Sequence, residues 1–470
     1  MKKLIAAIMA LSSVGYTDSA DYDKSSQLQD FYDTWKRNYL VQDSYVTDET
    51  QYYVWYSGNS YNNDNISVPV TVSEAHGYGM LITACLADYD SNSKDIFDGM
   101  YRYYKSHTSS IGKNLMSWQQ CDNGSELIDG AEDGAMNGGS ADSATDGDMD
   151  IAYSLLIADK IWGSSGDIDY KSEAVNIIND IMEYEVNKTD WILQLGDWVY
   201  YESKDDDYYS ATRASDFIMQ YMPVFAEVTG DSRWLDVYES TYKIIDSFTD
   251  KYNTGLLPDF IVKDSKTGEF VAAPEYFLED YTDNCYSYNS CRIPWRISMD
   301  YLINGNETAK KFADTINNFI IEKTNSNPDN IMAGYKTDGS AIEDYNDLCF
   351  DAPFLVSAKC GDNTEWQENL WSYICDYGDD VYYGDTIKLL CMIVYCDEWQ
   401  NIQDNTMYGD VNTDGFIDVV DVTALKQAIL EIISLTPQQT LNSDVINDGV
   451  TDVKDLGQLI RYIIKIIDKF

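Results

Sequence analysis

Ala144-Thr145-Asp146-Gly147-Asp148-Met149-Asp150-Ile151-Ala152-Tyr153-Ser154-Leu155-Leu156 puts three carboxylates at the head of an apolar run. The apolar positions recur at helical spacing, and Thr145 marks a helix start. Acidic side chains in a first turn face the positive end of the helix dipole and are favoured as anions. That suits Asp146. Capping needs fewer than three acids, and like charges this close repel one another. Such a cluster therefore points to chemistry as well as to helix initiation.

A second segment has the same design. In Val72-Ser73-Glu74-Ala75-His76-Gly77-Tyr78-Gly79-Met80, Glu74 sits where a helix should begin. The dipole works against Glu74 as a proton donor, so that role requires burial to raise its pKa. Gly77 and Gly79 leave room for a ligand or another helix to approach closely. His76 either contacts the acid or a bound ligand, or fills a helix face.

Outward from these motifs, residues 24 to 400 read as repeated amphipathic helices. Starts are expected near Ser25, Ser73, Ser93, Thr145, Asp169, Thr212, Asp231, Ser290, Asn306, Asn346, Asn363 and Gly384, mostly at good N-cap residues. Extended segments are short, at Tyr52–Tyr56 and Phe270–Ala273. Helices in pairs suggest a closed ring of hairpins. Long connections rich in Gly and Asp, such as Asn123–Ser140, are where function is expected.

The chain has 470 residues, suiting one large domain and one small one. Its 80 acidic residues against 32 basic ones give a net charge of −48. That surface repels nucleic acid and anionic membranes, tolerates neutral polymers and attracts polycations or Ca²⁺. Thirty-nine Tyr and 11 Trp supply flat rings suited to sugar faces, though many must be core. Nine cysteines show neither a disulfide framework nor a zinc spacing, and two histidines exclude a His-rich metal centre. Residues 1–20 have the basic start and apolar run of a secretory signal peptide, which predicts an extracellular protein.

After a polar linker at 401–408, an internal repeat occupies 409–470. Asp410-Val411-Asn412-Thr413-Asp414-Gly415 returns as Asp444-Val445-Ile446-Asn447-Asp448-Gly449, each copy followed by an apolar helix, Leu425–Ile433 and Leu456–Ile467. A Ca²⁺ loop takes oxygens at positions 1, 3, 5, 7, 9 and 12, with Gly at 6. The first copy supplies Asp410, Asn412, Asp414, the Phe416 carbonyl, Asp418 and Asp421. The second supplies Asp444, Asp448, Asp452 and Asp455, but Ile446 at position 3 offers no side-chain oxygen, so weaker binding is expected. This region resembles a dockerin, a module that binds cohesin domains of a cellulosome scaffold. Loop positions 10 and 11, Ser/Thr-like in many dockerins, are Val419-Val420 and Val453-Lys454 here.

The two catalytic motifs, together with Tyr288-Asn289-Ser290-Cys291-Arg292-Ile293-Pro294-Trp295-Arg296, resemble glycoside hydrolase family 8. The likeness runs over residues 25 to 400, and the Asp146 motif follows the family signature through Trp162. It implies an all-α (α/α)6 barrel and an inverting endo-β-glycanase that needs no catalytic cofactor. Residues 21–400 would be that catalytic domain. Glu74 resembles the general acid and Asp146 the central sugar-binding aspartate, with Arg292 beside it. Asn289 stands where many family members carry an aspartate base, and an amide cannot take up a proton at neutral pH. In another branch the base lies on the preceding loop. Glu279 is then the expected base, with Glu275, Asp280 and Asp283 as fallbacks. Acid and base should lie about 6.5–9.5 Å apart. Tyr78, Asn289 and Arg292 are expected at the sugar, and Trp118, Trp198 and Trp295 are candidate stacking platforms. The expected substrate is β-1,4 or mixed-linkage glucan. The alternatives are chitosan, which the negative charge would attract, and polysaccharide binding without turnover.

Overall fold

A computed structural model of the protein describes residues 19–56, 68–130, 141–376, 381–402 and 407–467, apart from 414–415, 431, 434, 436 and 448–449. The proposed signal peptide up to residue 18, Gly134, Gly138 and Gly139 of the 123–140 loop, part of the linker, and Asp414 and Asp448 lie outside these residues. The chain divides into two compact units, 1–400 and 401–470.

The first unit has twelve α-helices among its described residues: α1 Ser19–Tyr39, α2 Ser73–Cys85, α3 Ser93–Ser106, α4 Thr145–Trp162, α5 Tyr170–Tyr184, α6 Tyr221–Thr229, α7 Arg233–Tyr252, α8 Ile293–Asn304, α9 Glu307–Thr324, α10 Leu348–Lys359, α11 Thr364–Asp376 and α12 Tyr382–Tyr395. They alternate in character. Along α2, α4, α8, α10 and α12 most residues are buried, on every side of the helix. Along α3, α5, α7, α9 and α11 only one stripe is. A helix apolar all round belongs inside, and an amphipathic one belongs outside. The inner helices form a ring, α2 against α4, α4 joined to α8 through the Asp150–Arg296 pair, α8 against α10, α10 against α12, and α12 back on α2. This is the (α/α)6 barrel that the motifs imply.

The expected helix starts hold at Ser73, Ser93 and Thr145. Thr212 is a correction. Ala211–Arg213 is a strand, paired with Phe260–Lys263 so that Thr212 lies opposite Ile261. The next helix waits until Tyr221. A strand with a partner far along the chain leaves no local trace. The first helix also begins earlier than Ser25, at Ser19. Nor do Ser73 and Thr145 cap their own helices. Val72 and Ala144 precede them in extended conformation with no side-chain cap.

Two glycines decide how α2 meets α4. A Cβ on Gly147 would stand 2.5 Å from Ser73 Oγ and 2.8 Å from the Glu74 nitrogen. One on Gly77 would stand 2.8 Å from Asp150 Cβ. Backbone lies against backbone here, and that closeness brings Glu74 beside Asp146. Gly147→Ala should push the two helix starts apart and lower kcat roughly 100-fold, as an ångström of misplacement does. Kinetics beside a circular dichroism check of folding would read this.

In the second unit Val411, Leu425 and Leu459 form a small core. The helices run Val419–Ile429 and Val453–Ile463. Both start earlier than the apolar runs suggest, because Asp418 with Asp421, and Asp452 with Asp455, form capping boxes at the end of each loop. All nine cysteines are unbridged thiols, seven of them buried.

Candidate active site

Glu74 and Asp146 both lie in the first turn of a buried inner helix. The strand Val68–Val72 feeds straight into α2, and Ser73 N–H donates to the Trp118 carbonyl at 2.8 Å. Thr145 Oγ1 donates to the Gln194 carbonyl at 2.7 Å. Each helix start is thus tied to a neighbouring loop by its own Ser or Thr.

Arg292, only 2% exposed, is the hub. Its Nη1 donates to Glu74 Oε2, to Asp146 Oδ2 at 3.1 Å and to the Tyr78 hydroxyl at 3.1 Å. Its Nη2 reaches Asn289 Oδ1 at 3.1 Å. Asn289 Nδ2 in turn donates to Glu279 Oε2 at 2.8 Å. One guanidinium and one amide therefore link the acid, the central aspartate and the loop carboxylate.

The electrostatics separate the two carboxyls. Burial pushes Glu74 up to about 7, against the pull of Arg292 and with a push from the Asp146 charge. Burial alone would raise Asp146 too. Arg213 and Arg292 overcome it and hold its carboxyl below the usual range. Arg213 Nη2 lies 3.0 Å from Asp146 Oδ1, and Arg213 Nε lies 3.0 Å from Asp216 Oδ1. One carboxyl kept protonated beside another kept ionised is the division of roles that acid catalysis requires.

The loop residues sort clearly. Asp283 is 1% exposed, and its carboxylate accepts the backbone N–H groups of Leu278, Glu279 and Asp280 at 2.8–3.0 Å. It shapes the turn that presents Glu279. Asp280 accepts the Tyr281 N–H at 2.6 Å. Asp259 does for Asn289 what Asp283 does for Glu279. It accepts Ser287 N–H at 3.0 Å, Ser290 N–H at 2.7 Å and the Ser290 hydroxyl at 2.6 Å, fixing the turn that carries Asn289.

Among the aromatic candidates, Trp118 is 37% exposed and open to a ligand. Trp198 is partly buried, its ring edge-on to Tyr208 at 5.2 Å. Trp295 is a correction. It is wholly buried and stacks on the Arg296 guanidinium at 3.9 Å, so it offers no face to a sugar. Tyr78 is equally buried, and its hydroxyl serves Arg292. His76 fills a helix face, with Nε2 2.9 Å from the Met100 carbonyl and its ring on Tyr103. Sequence reasoning missed Arg213, Asp216 and Tyr383, whose ring lies 5.8 Å from the Arg292 guanidinium carbon. An arginine three residues before an aspartate, in so acidic a chain, was the available signal for the first two.

The calcium loops can be tested for fit. Asp410, Asp421 and Asp455 are buried carboxylates in hydrophilic loops. Asp421 accepts Asn412 N–H at 3.1 Å and Asp418 N–H at 2.8 Å. Asp455 accepts Ile446 N–H at 3.1 Å and Asp452 N–H at 2.8 Å. Thr413 and Asn447, both at position 4, share a left-handed φ of 59° and 55°. The two loops repeat one backbone geometry, and their oxygen-bearing side chains are of the kind a hard cation takes. Asp410, Asn412, Asp418, Asp421 and the Phe416 carbonyl would hold it, with Asp414 completing the set.

A barrel of helical hairpins with an acid, an ionised aspartate and a loop carboxylate joined through one arginine defines a glycoside-hydrolysing enzyme. The chain belongs to the glycosyl hydrolases family 8, whose sequence model matches residues 2–397, and it carries a dockerin type I domain at 408–464. A β-glucanase of Niallia circulans is 43% identical over 371 residues, 78% of this chain and 83% of that protein. An endoglucanase of Bacillus sp. strain KSM-330 is 38% identical, covering 80% of this chain and 76% of its own. The apo structure of a β-1,3-1,4-glucanase from Paenibacillus sp. X4 superposes with a TM-score of 0.72 at 41% identity, covering 82% of this chain and 95% of that one.

Proposed function

We propose that this enzyme is a secreted, inverting endo-β-glucanase acting on β-1,4 or mixed-linkage glucan. Glu74 is the general acid and Glu279 the general base. The observation that carries the reading is the Glu74–Arg292–Asn289–Glu279 chain of hydrogen bonds, which holds two carboxyls from distant segments in one site. Asp146, kept ionised by Arg213 and Arg292, binds the sugar at the cleavage point and stabilises positive charge growing on it. Glu279 deprotonates water on the face opposite the leaving oxygen, and Asn289, neutral, orients it. Exposed Trp118 and partly buried Trp198 stack sugars along the cleft. The β-glucan named for the relatives at 41–43% identity supports the substrate class.

Residues 1–20 form the secretion signal, 21–400 the catalytic domain, 401–408 the linker and 409–470 the dockerin. The dockerin binds Ca²⁺, supplied chiefly by the first loop, and attaches the enzyme to a cohesin of a cellulosome scaffold. Exposed Val419 and Val420, 67% and 50% exposed, would make that contact more apolar than a Ser/Thr pair does.

Reducing-end release on lichenan, carboxymethyl cellulose, xylan and chitosan tests the reading, with Glu279→Gln alongside. Loss of roughly 10²–10⁴-fold in kcat on a glucan is expected from removing a general base. The proton NMR signal of the first-formed anomer should show inversion. Full activity of Glu279→Gln would move the base to Glu275 or Asp280, and turnover of chitosan alone would replace the substrate.

A further inference from the structure

Behind the site lies a second group of carboxyls that the chemistry above does not use. Asp148 is on α4, two residues beyond Asp146. Glu185 follows α5, and Asp197 opens a short 3₁₀ turn, Asp197–Tyr201. All three are wholly buried. Among the described ion pairs, none reaches them. Besides burial, the negative charge of Asp197 acts on Asp148, and those of Asp148 and Asp197 act on Glu185.

Most of their oxygens have donors. Asp148 Oδ1 accepts Met116 N–H at 2.7 Å, and Glu185 Oε1 accepts the Ser143 hydroxyl. Asp197 Oδ2 accepts the Ser109 hydroxyl and, at 2.9 Å, Gly112 N–H, while its Oδ1 accepts Ser143 N–H at 2.8 Å. Asp148 Oδ2 and Glu185 Oε2 are left buried without a donor, although the two carboxyls lie within hydrogen-bond reach of each other. Two carboxylates in reach of each other away from water repel strongly even with the Ser143 hydroxyl beside them, and a proton between them turns that repulsion into a short, strong hydrogen bond.

We propose that Asp148 and Glu185 hold one proton in common, and that this shared proton positions the cleft. The segments it joins are those that matter for substrate. Met116 is two residues from Trp118. Ser143 leads into Asp146. Asp197 precedes Trp198, and Gly196 beside it has no room for a side chain, since a Cβ would lie 2.2 Å from the Ser143 carbonyl oxygen. Trp118 N–H, at 2.7 Å, closes the circuit on the Asp142 carbonyl.

The other groups facing the pair do not supply a cation. From α3, Tyr104 spends its hydroxyl on the Asn114 carbonyl. From the segment before α4, Asp142 is pushed up to about 6 by burial and by Asp197. From α5, Asp180 is engaged with Asn114. Lys113 donates to the Ser110 carbonyl at 2.8 Å.

The sign of the pH effect follows. Burial raises both carboxyls in the folded state, whereas in the unfolded chain they titrate near 4. The shared proton therefore stabilises fully below that value, and its contribution is lost as pH rises through the folded titration. Over that window the folding equilibrium constant should fall about tenfold per pH unit from this pair alone.

The test uses the full chain with Glu185→Gln, whose amide can donate to Asp148 Oδ2 without titrating, and Glu185→Ala, which cannot. Urea unfolding from pH 5.5 to 8 should show Glu185→Gln releasing one proton fewer than the parent, a slope about tenfold shallower per pH unit. Glu185→Ala should raise KM more than it lowers kcat, and Glu185→Gln should restore KM. If Glu185→Ala does not fold, Asp148→Ala with Asp148→Asn as its rescue takes its place. An unchanged proton count in Glu185→Gln overturns the shared proton. An unchanged KM in Glu185→Ala overturns the positioning role. The KM arm rests on the proposed glucanase activity and the proton count does not, so the two failures are distinguishable.

Discussion

Glu74→Gln should lower kcat/KM on a β-glucan by roughly 10²–10⁴-fold, the usual worth of a positioned general acid. On an aryl cellobioside with a dinitrophenolate leaving group the same substitution should cost less than about tenfold, because that leaving group departs without a proton. The contrast separates acid catalysis from mere damage to the site, which would depress both substrates alike. The parent's pH profile carries a second signature. As the proposed general acid Glu74 would have to be protonated, and burial pushes it up to about 7. kcat/KM on the glucan should therefore fall above pH 7, while the activated substrate should keep its rate there. Equal losses on both substrates would remove Glu74 from the acid role.

Asp150→Ala should destabilise the fold by about 3–5 kcal/mol, more than any other single change considered. Asp150 and Arg296 are wholly buried and paired through two hydrogen bonds, of 3.0 and 2.5 Å. Tyr221 adds a third to the carboxylate at 2.9 Å. Removing the carboxylate strands a guanidinium between the Trp295 and Tyr78 rings, 3.9 and 5.5 Å from their centres. Replacing both partners, Asp150→Leu with Arg296→Met, should recover most of the loss, since the desolvation penalty leaves with the charges. Urea unfolding of the two singles and the double measures it. A single mutant as stable as the parent would show that water reaches the pair.

Much of the helix content was readable because apolar residues recur at helical spacing and Ser73, Ser93 and Thr145 stand where that periodicity begins; the division into buried inner and amphipathic outer helices emerged only from the structure. Thr212 misled because strand pairing with Ile261 is decided by residues almost fifty positions away. Within the site, the carboxyl pair Glu74 and Asp146 was legible as two acidic helix starts of matching design. Arg213 was not, since it sits at the end of a strand whose existence was itself hidden. Trp295 was misread for the opposite reason. As a flat ring in the motif it was a candidate platform, but a tryptophan in a helix that is buried along most of its length packs in the core, here on the Arg296 guanidinium. The three acids at the head of α4 have separate partners: Asp146 two arginines, Asp150 one, and Asp148 the Met116 N–H.

The unbridged cysteines have a practical side. No covalent clamp needs an oxidising compartment, so the protein can be made and assayed under strongly reducing conditions without loss of a cross-link. Seven thiols shut inside the molecule are also built-in reporters. Because burial raises the pKa of Cys85 to about 12, it stays unreactive until its helix opens. The rates at which a thiol reagent labels Cys85, Cys349 and Cys391 would rank α2, α10 and α12 by how readily they open, with no probe added to the chain.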